Sequence, residues 1–457
     1  MKKKIICIFI LLILSLQVVS SKQLSYNEQY DLLIITPDEF IINFTPLKQH
    51  KESKGIQTKI IGLHEIGDSV YFPLEGRDEA EQLKCFIKNS KDKWNIRYVM
   101  LVGGKDNMPV RYSHCPSNFP TDEDKFISDL YFADLYDENG SFCSWDSNNN
   151  NIFGEIGEEA AIDTVDLYPD VYLGRILCSD SADVDIVVNK IIEYENNVNG
   201  ESWLDNIVLC GGDTHTSVFD EIMYILILLS AYDNMYRFAL EGEHICETIS
   251  KIMNEDNLIK CYVSGILKSN VNRLTANNIN KYINEGCKFF VFSGHGSPYS
   301  FSTHPPFNNF ISLPFPLGYT LSNIQDLENK NKLPITIFNC CLCANFDEVS
   351  DPIAWKFINH ENGGSIGSLA CTTYSWGAQT TYASKTYNGF LTMEIFRSYK
   401  NGIDILGELW ANSISQYLDD EQAMLSYMSI LNWIHYVCLE EWILIGDPSL
   451  KIGGYQL

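Results

Sequence analysis

The feature that most constrains this chain is a succession of short apolar runs, each the length of one strand, separated by longer segments of helical spacing. Residues 30–36, 58–63 and 96–103 are such runs, and 46–53 and 78–91 carry the helical pattern between them. Strands buried on both faces read as continuous apolar runs, and their alternation with helices builds a largely parallel sheet covered on each side. Residues 109–170 interrupt the rhythm with an Asp- and Asn-rich stretch, read as loops across one end of the sheet. Strand-like 171–176 and helical 183–197 close a first half at the Asn/Gly-rich linker 196–200. The rhythm resumes with expected strands at 206–210, 289–293, 335–340 and 365–370, helices at 351–360 and 403–418, and a short last strand at 443–445. A chain of 457 residues exceeds the usual size of one hydrophobic core. The expectation is therefore an α/β protein of two tandem subdomains with largely parallel sheets, 22–199 and 200–457, with no visible homology between the halves.

Ahead of these, Lys2, Lys3 and Lys4 precede an apolar core at 5–14 and small residues at 18–21, the pattern of a secretory signal peptide over 1–21. That core falls short of the roughly 20 apolar residues a spanning helix needs, so no stable membrane insertion is expected after cleavage. The run 222–229 is also too short and reads as a buried helix. The expected location is secreted or extracytoplasmic. A formal charge of -26 argues against a nucleic-acid partner, because phosphate contacts need clustered Lys and Arg. Of 14 cysteines Cys7 leaves with the leader, and the odd remainder keeps at least one thiol out of any intramolecular disulfide.

Two strand ends carry the chemistry. Phe289-Phe290-Val291-Phe292-Ser293 delivers Gly294-His295-Gly296, a histidine between glycines at the carboxyl end of a strand, where α/β folds place their sites. Alone, the same motif also describes a turn with a structural His. Forty-six residues later, Ile335-Thr336-Ile337-Phe338-Asn339 ends in Cys340-Cys341-Leu342-Cys343. Adjacent parallel strands would bring His295 and a strand-end cysteine together. A thiolate is a good nucleophile at neutral pH, and a neighbouring imidazole can take its proton and return it to a leaving amine. The cluster lacks the two Cys-x-x-Cys pairs of an all-cysteine zinc site. Extended, it would put Cys341 and Cys343 on one face and Cys340 on the other, with Cys340 and Cys343 either bridged or buried as thiols.

Together these motifs resemble the gingipain family of cysteine peptidases, whose fold is caspase-like. In that family one strand ends in His-Gly and a later one in the nucleophilic Cys, with Phe after four intervening residues. Here that Phe is Phe346, a register that selects Cys341, with Cys343 as the alternative nucleophile. The family's usual Gly between Cys and Phe is replaced by Ala344 or Asn345. Residues 30–40, 101–112, 128–134, 169–176 and 445–450 resemble further family blocks in order, so the likeness covers most of the mature chain. It implies a secreted cysteine endopeptidase with caspase-like α/β sandwiches, acting on protein or peptide substrates. Its catalytic residues would be His295 and Cys341, with an oxyanion hole from the amides of Gly296 and Cys341, and no cofactor would be required for the chemistry. The family's substrate pocket follows the nucleophile, here 370–377, with Trp376 as an apolar wall. Asp213 and Glu241 are upstream candidates for an acid orienting His295, and each reads equally as a surface or turn residue. His215, His244, His304 and His435 show no metal-ligand spacing.

Calcium is the one metal the sequence suggests. Asp146, Asn148 and Asn150 offer oxygens at alternate positions, with Glu155 and Glu158 nearby and Asp129, Asp134 and Asp137 as further ligands. The loop lacks the Gly and Glu of an EF-hand and reads equally as a solvated turn. Two other functions share these residues: a catalytically silent relative serving as a secreted binding or processing protein, and a transpeptidase in which an amine replaces water.

Overall fold

The computed structural model describes residues 28–117, 119, 121, 123–158, 161–214, 240–266, 269–304, 317–420 and 433–456. The signal peptide, the run 222–229 and His215 lie outside them. Strands follow in chain order: β1 (Leu32–Thr36), β2 (Thr58–Gly62), β3 (Tyr98–Val102), β4 (Tyr112–His114), β5 (Lys125–Ile127), β6 (Tyr172–Ile176), β7 (Asn206–Gly211), β8 (Asn257–Tyr262), β9 (Asn272–Arg273), β10 (Phe289–Ser293), β11 (His295–Ser297), β12 (Ser300–Thr303), β13 (Leu317–Thr320), β14 (Ile335–Asn339), β15 (Gly367–Cys371) and β16 (Trp442–Gly446). Eleven of them form one sheet in the order β2-β1-β3-β6-β16-β15-β14-β10-β7-β8-β9. Every residue of β1, β3, β10, β14, β15 and β16 is buried, which is why these segments read as unbroken apolar runs. Helices such as Glu79–Trp94, Ser181–Asn197, Glu241–Ile252 and Tyr387–Lys400 pack their apolar sides against it.

The two halves expected from the sequence share this sheet, and β16 joins them. It runs antiparallel to β15, with Ser368 opposite Ile445, and parallel to β6, with Ile445 opposite Arg175. All other neighbours in the sheet are parallel, so two parallel groups of opposite sense meet at the β15–β16 seam. On the other side of β16 the approach of β6 is tight: a Cβ on Gly174 would stand 2.4 Å from the Gly446 carbonyl oxygen. Glu440 and Glu441, both fully buried, lead the chain into β16. Glu440 accepts a hydrogen bond from the Ser113 hydroxyl of β4, and Glu441 accepts one from Asn388 at 2.7 Å.

Beyond β16 a buried ion cluster ties three segments together. Lys51, on helix Thr45–Ser53, reaches Asp447 at 2.6 Å and Glu195 at 2.8 Å, and His50 reaches the other Glu195 oxygen at 2.8 Å. Burial works against the Lys51 ammonium, but the two carboxylates more than offset it and hold its pKa above the ordinary lysine value. Removing one partner of such a cluster strands the others in low dielectric. Lys51→Met should therefore cost about 3 kcal/mol of stability, read from urea unfolding near neutral pH. A loss below about 1 kcal/mol would show that the carboxylates find other partners.

Candidate active site

β10 and β14 are adjacent and in register, Ser293 opposite Asn339, and the Asn339 amide donates to the Ser293 hydroxyl at 3.1 Å. The chain leaves both strands on the same side. After β10 it turns into the small antiparallel sheet β11-β12-β13, and after β14 into a tight turn. Between these exits lies a cavity of about 240 Å³ whose lining includes His295, Cys341, Thr214, Glu241, Ser375 and Trp376.

His295 Nε2 lies 2.9 Å from the Thr214 carbonyl oxygen. A carbonyl only accepts, so Nε2 carries the ring proton and Nδ1 is the basic nitrogen. The Thr214 amide faces Glu241 at 3.5 Å, and the Thr380 amide faces the other Glu241 oxygen at 3.4 Å. Glu241 thus supports the strut that holds His295, and the oxygen that Nε2 meets belongs to the backbone, which no side-chain motif announces. Asp213 is engaged through its backbone: its carbonyl accepts from Thr303 at 2.6 Å and from the His304 amide at 3.1 Å. The His304 ring packs edge-on against His295 with centroids 4.9 Å apart, a neighbour with no signal in the sequence because it arrives on the β11–β12 hairpin. His435, by contrast, is buried beside the Tyr417 hydroxyl at 2.6 Å, and burial lowers its pKa to about 4.

The Cys341 sulfur is half-buried against Ser375, whose amide lies 3.3 Å away and whose hydroxyl lies 3.7 Å away. Burial pushes the thiol's pKa up, and the Ser375 hydrogen bonds pull against that shift. The turn is held from β15: the Leu342 amide donates to the Thr373 carbonyl and the Ala344 amide to the Cys371 carbonyl, each at 2.9 Å. Leu342 has φ +59, a left-handed conformation costing a branched residue on the order of 1–3 kcal/mol and kept only where its surroundings enforce it. Farther along, Phe346 is buried under the Arg175 guanidinium, and Asp347 accepts from Lys105 at 2.7 Å and from the Tyr112 hydroxyl at 2.9 Å. The N-terminal half of the chain thereby grips the loop that follows Cys341.

Several expectations change. Cys343 is fully buried and does not reach the cavity. The alternating faces expected for Cys340 to Cys343 are absent because β14 stops at Asn339: the turn swings Cys343 back until its sulfur is 3.4 Å from that of Cys340. Gly296 lies against this turn. A Cβ there would come within 2.2 Å of the Cys341 carbonyl oxygen and 2.9 Å of the Cys340 and Cys343 sulfurs, so only glycine fits. Trp376 does border the cavity, braced edge-on by Phe119 and Trp433.

The Asp- and Asn-rich loop proposed for calcium is held by hydrogen bonds. Asp146 pairs with Arg77 and accepts the Asn150 and Asn151 amides. The Asn148 and Asn150 side-chain oxygens accept amides two residues on, while their NH₂ groups donate to Glu155. Asp129 is held by Arg175, Asp134 accepts from the Trp145 indole, and Asp137 caps its own turn. Asp146, Asn148 and Asn150 are thus tied to backbone amides, Arg77 and Glu155. Among the described residues, no group of three or more His, Cys, Asp or Glu side chains is placed to hold a metal. Nor is any helix among them long and apolar enough to cross a membrane.

Comparison with known proteins follows the same lines. The profile of Peptidase family C25 matches residues 25–453. Gingipain R2 of Porphyromonas gingivalis is 19% identical over 441 residues, covering 93% of this chain and 46% of its own length. Gingipain R1 of that species is 19% identical over 436 residues, covering 92% of this chain and 34% of its own. The chain therefore spans less than half the length of these curated relatives. The crystal structure of the Arg specific cysteine proteinase gingipain R superposes with a TM-score of 0.60 at 16% identity, over 94% of this chain and 79% of that one. The complex of the Porphyromonas gingivalis RgpB pro- and mature domains does so with a TM-score of 0.60 at 17% identity, over 92% and 79%. At such identities the superpositions speak to the caspase-like fold alone. The family profile, running through both halves of the sheet and across both exits that line the cavity, shows that the protein belongs to Peptidase family C25.

Proposed function

We propose that this protein is an exported cysteine endopeptidase in which Cys341 attacks the scissile carbonyl of a protein or peptide substrate and His295 is the acid–base. The observation that carries this reading is the single cavity lined by both residues at the ends of adjacent parallel strands, with His295 Nε2 already committed to the Thr214 carbonyl. In this reading Nδ1 takes the Cys341 proton as the thioacyl-enzyme forms and returns it to the leaving amine. Water, activated by the same nitrogen, then hydrolyses the thioester and regenerates the thiol. The amides of Gly296 and Cys341 are the proposed donors to the oxyanion. Thr214 and Glu241 act as positioning residues, and Trp376 forms a wall against which a substrate side chain rests. Every step uses side chains and backbone amides of this chain.

Gly296→Ala should lower kcat by about 10²–10³-fold, because its methyl group displaces the Cys341 carbonyl and misplaces an oxyanion donor. Retention of most of the activity would remove Gly296 from the mechanism. The direct test of the whole reading is alkylation of the native protein with iodoacetamide across pH, followed by peptide mapping. Cys341 should react faster than in the denatured chain, and His295→Ala should abolish that advantage. If no cysteine at 340–343 reacts faster than in the denatured control, the catalytic reading gives way to a binding role on the same fold.

A further inference from the structure

Cys340 and Cys343 have the Cys-x-x-Cys spacing of dithiol–disulfide couples, and Cys341 lies between them. Their sulfurs are 3.4 Å apart and both side chains are buried. Nothing separates them. Gly296, which passes alongside, has no side chain to wedge between the two, and a Cβ there would touch both sulfurs at 2.9 Å. A disulfide bond is about 2.05 Å long, so closure asks the sulfurs to approach by little more than 1 Å. The other cysteine at this turn, Cys341, has its sulfur turned to Ser375.

We propose that Cys340 and Cys343 form an intramolecular disulfide that brackets the Cys341 turn, by exchange with a low-molecular-weight disulfide of the glutathione class. One protein thiolate attacks the small disulfide, forming a mixed disulfide and releasing one small thiolate. The second protein thiolate attacks the protein sulfur of that mixed bond and releases the other. Two protein thiols are oxidised, one small disulfide is reduced to two thiols, and the two protons leave with them. The product closes a ring through Cys341 and Leu342 and fixes covalently the left-handed residue that shapes the turn. Burial holds the Cys340 thiol well above its ordinary range, so exchange is slow on the folded protein and belongs to the period when the chain is folding in an oxidising compartment. The pairing does not rest on Cys341 being a nucleophile, because it is read from residues 340 and 343 whatever Cys341 does.

The test is a thiol count on the whole exported protein, unfolded and refolded either with glutathione disulfide present or with reduced glutathione alone, then denatured and alkylated. Refolding with the disulfide should give two fewer labels than the thirteen cysteines of the described chain, with the peptide spanning 340–343 two hydrogens lighter and unlabelled at both positions. Refolding with the thiol alone should give all thirteen. In the oxidised form the Leu342 amide should exchange its hydrogen about ten-fold more slowly. Labels on both Cys340 and Cys343 after oxidative refolding, a bond from either to Cys341, or a stable glutathione adduct would each overturn the proposal. Cys340→Ser should restore the label on Cys343. If that variant does not fold, the wild-type mass and exchange comparison still decides.

Discussion

Cys341→Ala should abolish peptide hydrolysis, by about 10⁴-fold or more in kcat/KM, while leaving the fold intact. The side chain is half-buried and its sulfur makes only weak contacts to Ser375, so trimming it removes the nucleophile and little packing. His295→Ala should cost about 10²–10⁴-fold, the range for losing a positioned acid–base. Cys343→Ala is the informative companion: it trims a core side chain away from the cavity and should keep most of the activity at some expense of stability. Progress curves on a mixed peptide library, with circular dichroism of each variant, would measure this. If Cys341→Ala kept a tenth of the activity and Cys343→Ala lost it, the nucleophile would be misassigned despite the burial of Cys343.

The second large effect is on stability against pH. Glu440 is buried, which raises its pKa to about 8, with the Ser113 hydrogen bond acting in the opposite direction. The folded pKa lies above the ordinary 4.5, so between those values the folded chain holds a proton that the unfolded chain releases. The contribution is therefore fully present below about pH 4.5 and is lost as pH rises through 8. A shift of this size corresponds to roughly 4–5 kcal/mol across the window. Glu440→Gln keeps the shape and the acceptor for Ser113 but cannot ionise. Its advantage over wild type should grow from near zero at pH 4 to several kcal/mol at pH 9, measured by urea unfolding at each pH. A wild-type-minus-variant difference that stays flat with pH would mean that Glu440 is solvated or paired when charged.

Much of this was legible because the buried strands carry their own signal. Phe289–Ser293 and Ile335–Asn339 appear where the apolar runs place them, and their adjacency puts His295 and Cys341 on one cavity. What escaped is what depends on pairing or on backbone groups. The run ending at Gly446 announces a strand but not that it lies between β6 and β15, because its partners are some 75 and 270 residues away and leave no local trace. The strand Asn257–Tyr262 carries no such signal, because polar Asn257 and Lys260 break its apolar run at the less buried flank of the sheet. Nor could a sequence reveal the Thr214 carbonyl or the His304 ring beside His295. Likewise, the residue types at 146–150 do not announce that Asp146 meets Arg77 or that Asn148 and Asn150 meet Glu155.

The place of β16 has a consequence for timing. It is the last strand of the sheet to be synthesised, yet it fills the gap at its middle. Until it arrives, β6 and β15 present open edges, which invite pairing with other chains, and closing the gap is a slow, long-range event. The turn carrying Cys341 hangs from carbonyls at and just beyond the end of β15, whose neighbour on the side away from β14 is β16. A nascent chain therefore carries His295 and Cys341 without the support that sets them against each other. In the peptidase proposed above, the Cys341 turn therefore gains its full support only once β16 is seated beside β15.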